Sequence, residues 1–345
     1  MIQKTPMANR PRKHHYIPAF YLAGFTASGS DEDRLYVFDQ GQIKSWPSSP
    51  KNSGHERDFY AVDLGPDVDP ASFETGVLAR LETEFSRVVR ETVAAEKLPE
   101  GDDFNILLNF VAAMATRTPR TRRLVGQVTD LAVKSHMQAT IATDEGWREF
   151  RAYFNEPGDE MSDAEAEGMR QFILSGKYDV NLDQTSHVQK IGELVGGMLP
   201  LLAQRCWSIG VVPPGFPNLV CSDAPVSGAP TEQFGPDDEM HLANRNILLT
   251  MPLTRRIVLF GRDEDRPSMF YINELGVLTV NAMTITEARQ IFSTDENFAY
   301  LGSDKQARQK ADLEESLRRR NGKYSHLDEA LVDWFQTRMQ TKDNE

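Results

Sequence analysis

Two periodicities alternate along the chain and predict where helices and strands lie. From about residue 70 to 96, apolar residues recur at helical spacing and charged residues occupy the other faces, which predicts an amphipathic helix. Nearer the N-terminus, residues 34–38 and 42–46 alternate apolar and polar positions on either side of Asp39-Gln40-Gly41. Alternation around such a turn signal predicts a β-hairpin.

A central helical layer is predicted after the first helix, with members at about residues 105–117, 162–175 and 186–203. The first of these is apolar on nearly every side, which indicates a buried position. Asp102 or Asp103 should cap its start, and Pro119 should end or kink it. Ser162 and Glu165 have the spacing of a capping box, so a helix should begin there.

The second half of the chain changes from helical to β-rich patterns. Short β-rich runs, separated by Pro, Gly and Asp, occur at 206–212, 219–221, 247–251 and 256–260. They predict an antiparallel β meander. C-terminal helices are predicted at about 278–292, 305–319 and 327–339, with a strand-like segment at 298–301. The order hairpin, helices, strands, helices favours an α+β fold over a doubly wound parallel sheet.

Domain limits follow from the same patterns. The expected parts are a flexible N-terminus at 1–12, a single α+β domain at 13–302 (helical at about 70–203, β-rich at about 204–301) and a C-terminal helical extension at 303–345. An apolar stripe within the extension predicts either packing onto the body of the protein or a homodimer through this helix.

Composition narrows the class of protein. The 345 residues are 40% hydrophobic, enough for a substantial core, and the formal net charge of -13 argues against broad binding to a phosphate backbone. No stretch is long and apolar enough for a membrane span, and residues 1–12 have no signal-peptide core. Cys206 and Cys221 match neither a zinc knuckle nor a disulfide framework. We therefore expect a cytoplasmic protein with reduced thiols and no membrane partner.

Two motifs could carry chemistry. Residues 13–22 read KHHYIPAFYL, which sets His14 and His15 in an otherwise aromatic and apolar stretch. Adjacent residues of an extended segment point to opposite faces, so at most one of the two histidines is expected in a site. The second motif, CSDAPV at residues 221–226, places Asp223 where a β-run ends, and strand ends hold functional groups rigidly.

Both motifs resemble a bacterial family, domain of unknown function family 4238. Its members open with His-His-Tyr-Val/Ile-Pro and later carry Ser-Asp-x-Pro-Val, where this chain has Ala224 in place of the usual Asn. Further segments also resemble the family. They are the Glu-x-Asp-Phe-Tyr pattern at residues 56–60, Phe73-Glu74 with Leu81-Glu82, Arg117-Thr118-Pro119 and Met251-Pro252-Leu253-Thr254. The resemblance spans about residues 13 to 300 and implies no particular activity.

The residue types in these segments suit a metal site or an acid–base site. The candidate catalytic residues are His14, His15, Asp223 and Arg117; the candidate binding residues are Arg120, Tyr16, Glu74 and Glu82. Mg²⁺ or Mn²⁺ held by His15 and Asp223 would let an acidic protein approach a phosphate that the arginines neutralise. This combination predicts a metal-assisted phosphoester hydrolase, nuclease-like, in a bacterial defence setting (toxin or phage defence). Its partner would be nucleic acid or another phosphate-bearing ligand.

Two other hypotheses use the same residues. A non-enzymatic binding protein would hold an anionic small molecule or a partner peptide with them. In a purely structural role, Asp223 would cap a turn, one histidine would donate to a backbone carbonyl, and Arg117 would pair internally with Glu74 or Glu82. His241 lies in an acidic stretch that is typical of a solvated loop. The sequence contains no Walker, dinucleotide, kinase or Gly-x-Ser-x-Gly motif.

Overall fold

The computed structural model describes residues 13–57, 59, 76, 79–154, 161–235, 238, 243–286 and 288–319, and these form the predicted α+β fold. The helices are α1 (Ala19–Ala23), α2 (Ala79–Ala95), α3 (Gly101–Thr116), α4 (Pro119–Ala142), α5 (Asp144–Phe154), α6 (Asp163–Ser175), α7 (Gln184–Ala203), α8 (Glu274–Thr286) and α9 (Lys310–Arg319). The strands are β1 (Lys13–His15), β2 (Leu35–Asp39), β3 (Lys44–Ser48), β4 (His55–Arg57), β5 (Cys206–Val211), β6 (Cys221–Ser222), β7 (Ser227–Pro230), β8 (Ile247–Thr254), β9 (Ile257–Arg262), β10 (Met269–Tyr271), β11 (Gln290–Ser293), β12 (Ala299–Leu301) and β13 (Ala307–Gln309).

The chain divides into two compact units. Of the described residues, 13–121 and 184–319 belong to the larger unit and 122–183 to the smaller one. The domain limits drawn from the sequence stay a prediction. The predicted N-terminal tail at 1–12 and the predicted helix at 327–339, with its dimerisation stripe, lie outside the described residues.

The predicted hairpin is confirmed, and it is part of a larger sheet. Strands β2 and β3 pair antiparallel in the register Leu35↔Ser48, and β11 and β6 extend the sheet to the order β3-β2-β11-β6. Strand β11 lies inside the helix that was predicted at 278–292. That prediction was wrong at its end, because Ile291 and Phe292 pair with β2 and β6 after α8 has stopped at Thr286.

The predicted meander is confirmed for β5, β8 and β9, and β7 is a further antiparallel strand that was not predicted. Strands β7, β8, β9 and β5 pair antiparallel in that order, and β10 adds a parallel strand beside β5. The β-run expected at 219–221 is different, since it forms only the two-residue β6 of the other sheet. Strand β6 thus belongs to the sheet that contains the hairpin, and not to the meander.

The five-stranded sheet separates two apolar clusters. Alternate residues of β5, β8 and β9 face in opposite directions, as the pleat requires. Ile209, Met251 and Leu259 pack in the main core with residues of α1, α2, α3 and α7. On the other face, Phe260 packs with Val277 of α8. Burial on both faces explains why these strands read as nearly continuous apolar runs.

Several helix ends differ from the sequence expectation. Helix α3 has Glu100 at its N-cap, and Asp102 and Asp103 lie in its first turn, where carboxylates interact favourably with the helix dipole. Pro119 does end α3, but it also begins α4, because proline fits the first position of a helix. Helices α4 and α5 were not predicted. Helix α9 begins at Lys310 and not at 305, because 307–309 pair with β12.

The smaller unit consists of helices joined by polar contacts. The predicted capping box is confirmed, since the Ser162 hydroxyl accepts from the Glu165 amide and the Glu165 carboxylate accepts from the Ser162 amide. The Arg170 guanidinium donates to the carbonyls of Ile141 and Ala142 at 3.0 Å each. Across the described helices of both units, none has the length and apolar character that a membrane span requires.

Candidate functional site

The histidine motif forms the short strand β1, which pairs antiparallel with β4. In this register His14 lies opposite Glu56, and His15 lies opposite His55. His14 is buried and His15 is half-buried, as expected of neighbours that point to opposite sides of a strand. Gly54 precedes β4 with a φ of +63°, and its carbonyl accepts from the Ile17 amide. Positive φ favours glycine here, and a Cβ would lie 2.9 Å from Ile17 Cβ.

Arg117 fastens the same segment to the helical layer. Its side chain is 2% exposed, and its Nη2 donates to the His15 carbonyl at 2.8 Å and to Glu82 Oε1 at 2.9 Å. We call Arg117, Glu82 and the His15 carbonyl the Arg117 anchor. The anchor is the internal ion pair that the structural hypothesis anticipated for Arg117. Glu74, the other partner considered, lies outside the described residues.

A second polar group lies where three neighbouring strands end or begin. Asp39 is the last residue of β2, Gln290 is the first of β11, and Asp223 follows β6. Gln290 lies opposite Asp39 in the sheet, and the Asp223 amide donates to the Gln290 carbonyl at 3.0 Å. Together with Tyr16 and Arg289, these residues form what we call the strand-end cluster.

Three side-chain contacts within the strand-end cluster are rather long. The Tyr16 hydroxyl lies 3.4 Å from Gln290 Oε1, and Gln290 Nε2 lies 3.3 Å from Asp39 Oδ2. The Nε of Arg289 lies 3.6 Å from the same Asp39 oxygen. Two shorter contacts involve backbone amides: the Arg289 amide donates to Asp223 Oδ1, and the Gln42 amide donates to Asp39 Oδ1 at 2.9 Å. Backbone amides thus orient the two carboxylates at shorter distances than those of the three side-chain contacts.

Burial and charge set the protonation states around the histidine motif. Burial, followed by the nearby Asp223 carboxylate, raises the pKa of Tyr16, so its hydroxyl stays a hydrogen-bond donor over the working pH range. Burial lowers the pKa of His15, with Lys13 and Arg117 adding to the effect against a hydrogen bond to the Lys51 backbone. The imidazole of His15 is therefore favoured in its neutral form near pH 7.

Four further residues were considered in the sequence: the two cysteines, Arg120 and His241. Cys221 is a free, buried thiol whose pKa burial raises to about 12, and Cys206 is a free, half-buried thiol. The raised pKa of Cys221 disfavours the thiolate that a nucleophile requires. Arg120 is half-buried in the first turn of α4, and His241 lies outside the described residues.

The structure brings the sequence candidates into two groups. Arg117, Glu82 and the backbone of His15 meet in the anchor, whereas Tyr16 and Asp223 belong to the strand-end cluster. The ring of His15 lies against Lys51 and His55. Within the part of the chain that the structure describes, no group of three or more His, Cys, Asp or Glu side chains could hold a metal ion.

Sequence reasoning missed three members of the strand-end cluster. Asp39 was considered only as a turn residue of the hairpin, and Arg289 and Gln290 lay in a predicted helix. The one available signal was the position of Asp39 directly after the apolar alternation of β2. A strand end holds a carboxylate rigidly enough for a functional site, which is the reason that Asp223 was selected.

Described residues of the larger unit line at least two pockets. One, of about 820 Å³, lies between α8, the β12–β13 hairpin and α9, and its polar lining includes Gln40, Tyr300, Asp304, Arg308 and Asp312. The other, of about 670 Å³, runs along α2 and is lined by residues that include Glu82. The first is a ligand-sized space that sequence patterns did not indicate.

Comparison with known proteins confirms the family that the sequence resembles. A family model described as a protein of unknown function (DUF4238) matches residues 13–297, so the chain belongs to that family. The matched range contains the Arg117 anchor and the whole strand-end cluster. Comparison with curated proteins gave no match, and comparison with solved structures gave none either.

Proposed function

We propose that the chain is a metal-assisted phosphoester hydrolase whose cation is held by Asp39 and Asp223. The observation that carries this proposal is that two largely buried carboxylates, at the ends of two strands, flank the same residue, Gln290. Mg²⁺ and Mn²⁺ bind to one or two carboxylates and keep several waters, which leaves positions for a substrate phosphate. Asp39 thus takes the place beside Asp223 that the sequence hypothesis gave to His15.

The other members of the strand-end cluster supply groups for a phosphate. The Arg289 side chain is 47% exposed although its Nε lies near the buried Asp39 carboxylate. A guanidinium in that position can reach an oxyanion in solution while it stays close to the cation site. The Tyr16 hydroxyl remains protonated and can donate a hydrogen bond to the same oxyanion. Long contacts between such groups are common in sites that tighten only when a substrate binds.

Charge narrows the substrate class. With a net charge of -13, the chain lacks the excess of Lys and Arg that draws proteins to long phosphate backbones. A small phosphoester, or a nucleic-acid end that presents few phosphates, fits the strand-end cluster better than a long duplex. The bacterial defence or toxin setting stays a prediction from the sequence.

Metal binding and hydrolysis test this proposal together. We expect Mg²⁺ or Mn²⁺ to raise the thermal midpoint of the wild-type chain by mass action. Asp39→Asn and Asp223→Asn should each remove that shift and the metal-dependent hydrolysis of bis(p-nitrophenyl) phosphate or of a short oligonucleotide. Asp265→Asn is the matched control, because Asp265 is exposed in the loop after β9. Equal shifts in all four proteins, or none with any hard cation, would contradict the proposal.

A second candidate function, small-molecule binding without catalysis, is favoured by the 820 Å³ cavity. Its volume lies in the range of about 300–1,000 Å³ that is usual for ligand sites. Its lining carries both signs of charge, with Arg308 beside Asp304 and Arg319 beside Glu315, so a polar ligand suits it better than a simple anion. A ligand-induced thermal shift that Ser316→Trp removes and Asp223→Asn retains would assign binding to this cavity.

A further inference from the structure

The two-stranded β1–β4 ribbon brings two histidines from distant parts of the sequence face to face. His15 and His55 are direct partners in the antiparallel register. Their ring centroids lie 5.5 Å apart with an interplanar angle of 73°. Directly opposite residues of an antiparallel pair share one face of the ribbon, where their side chains interact. His15 and His55 are both half-buried.

Each ring is oriented by a backbone group of the same turn. The Nε2 of His15 lies 3.3 Å from the carbonyl oxygen of Lys51, and the ring of His55 forms a hydrogen bond with the backbone of Asn52. Lys51 and Asn52 belong to the 3₁₀ turn Pro50–Asn52. A neutral imidazole that donates one N–H to a carbonyl keeps a lone pair on its other nitrogen. Metal-ligating histidines are held in this way by their surroundings.

The Lys13 ammonium lies at the turn that orients the two rings. It donates to the Lys51 carbonyl at 2.6 Å and to Asn52 Oδ1 at 2.8 Å. These bonds hold its charge at the turn, where it opposes a second cation.

We propose that His15 and His55 form a two-imidazole site for a borderline divalent transition-metal ion of the Zn²⁺, Ni²⁺ and Cu²⁺ group. Imidazole nitrogen suits these ions, whereas Mg²⁺ and Mn²⁺ prefer oxygen. Bonds of about 2.0–2.1 Å at a tetrahedral angle place two ligating nitrogens roughly 3.3 Å apart. Rings whose centroids are 5.5 Å apart reach that separation by rotation about their side-chain bonds. Water or a small ligand completes the coordination.

A metal ion at this site would link β1 to β4 and so stabilise the histidine motif. Strand β1 is followed by Tyr16 of the strand-end cluster, and its His15 carbonyl belongs to the Arg117 anchor. Its chemistry differs from the hard-cation site proposed above in ligand type, in metal and in residues. The two proposals can therefore fail separately.

The experiment measures Zn²⁺ affinity of the full chain, without a polyhistidine tag, by competition with a chromophoric chelator. We expect one site per chain, weakened at least tenfold by His15→Gln and by His55→Gln. His136→Gln should leave the affinity unchanged, because His136 is an exposed histidine on α4. Lys13→Gln should tighten binding several-fold, because it removes the opposing charge. Asp39→Asn and Asp223→Asn should have no effect, which separates this site from the proposed function.

A spectroscopic measurement on the wild-type chain keeps the proposal testable if a histidine variant does not fold. Electron paramagnetic resonance of the one-to-one Cu²⁺ complex should show coupling to two nitrogens. Oxygen-only coordination, coupling to one nitrogen, or Zn²⁺ affinities in folded His15→Gln and His55→Gln that equal the wild-type value would overturn it.

Discussion

The Arg117 anchor and the strand-end cluster both contact the histidine motif, the anchor through the His15 carbonyl and the cluster through the Tyr16 hydroxyl. The contacts differ in length and in burial. In the anchor, a guanidinium that is 2% exposed makes contacts of 2.8 and 2.9 Å. In the strand-end cluster, the side-chain contacts are 3.3 to 3.6 Å long, and the arginine is 47% exposed. The anchor pairs its buried charge at short distances, whereas the contacts that join Tyr16, Gln290 and Arg289 to their partners in the strand-end cluster are long.

This difference indicates a structural role for the anchor and a candidate ligand site in the strand-end cluster. A buried guanidinium requires close partners because an unpaired buried charge is costly. Arg117 has them, so its position is explained without a ligand. The two carboxylates of the strand-end cluster are oriented by backbone amides, which a protein uses to fix a functional group as well as to end a strand. The cluster is therefore the better place to look for a ligand.

The largest expected effect comes from breaking the anchor. Arg117→Met should lower the free energy of unfolding by about 3 kcal/mol, the lower end of the range for buried pairs, because Glu82 is 28% exposed and can regain water. Urea denaturation measures the change. Arg123→Met is the matched control on an exposed position of α4 and should stay within about 0.5 kcal/mol of wild type. A loss below about 1 kcal/mol for Arg117→Met would mean that the anchor does not hold the fold.

A smaller effect is expected in the strand-end cluster. Asp223→Ala should cost about 1–3 kcal/mol, because the Arg289 amide loses its acceptor in a partly buried position. Asp223→Asn keeps an oxygen for that amide and should cost less than half as much. Urea denaturation of both variants compares them. If the two substitutions cost the same, the charge of Asp223 and not its hydrogen bond maintains the fold, and the contrast with the anchor would disappear.

The smallest effect is the pH dependence of the β1–β4 ribbon beside the anchor. The folded-state pKa of His55 is lowered to about 4, so the unfolded chain binds a proton at higher pH than the folded chain does. The contribution to stability is complete above about pH 7 and is lost as the pH falls from about 6.5 towards 4. Solvent screening of this half-buried ring limits the loss to about 1 kcal/mol or less between pH 7 and pH 5.

Urea midpoints of wild type and His55→Gln at pH 7 and pH 5 measure this contribution. The variant should lose less stability on acidification, because Gln does not titrate. An equal loss in both proteins would assign the acid sensitivity to carboxylates, including those of the strand-end cluster.

Local sequence patterns predicted most of the helices and strands. The predictions were wrong where a segment pairs in a sheet with a distant part of the chain. The hairpin, the capping box at Ser162 and the meander strands follow from residues that are neighbours in the sequence. The helix predicted at 278–292 was too long, because periodicity does not distinguish a helical end from Ile291 and Phe292 paired in a sheet. The helix predicted from 305 began late for the same reason, since 307–309 pair with β12.

The candidate site was predicted only in part. Asp223 and Tyr16 were selected from motifs, and the pairing of Arg117 with Glu82 was among the alternatives. Asp39 and Gln290 were not selected, because neither lies in a motif. They belong to the candidate site because they are direct partners on two adjacent strands that are far apart in the sequence.

The sequence by itself determined the α+β class, the positions of most helices and strands, and membership of a family through motifs in a fixed order. These properties depend on hydrophobic periodicity, capping and turn residues, which act over a few positions. Only the tertiary structure decided which polar groups meet. Tyr16 and Gln290 are separated by 274 positions, and a contact over that distance depends on how sheets and helices pack, a property that no local pattern contains.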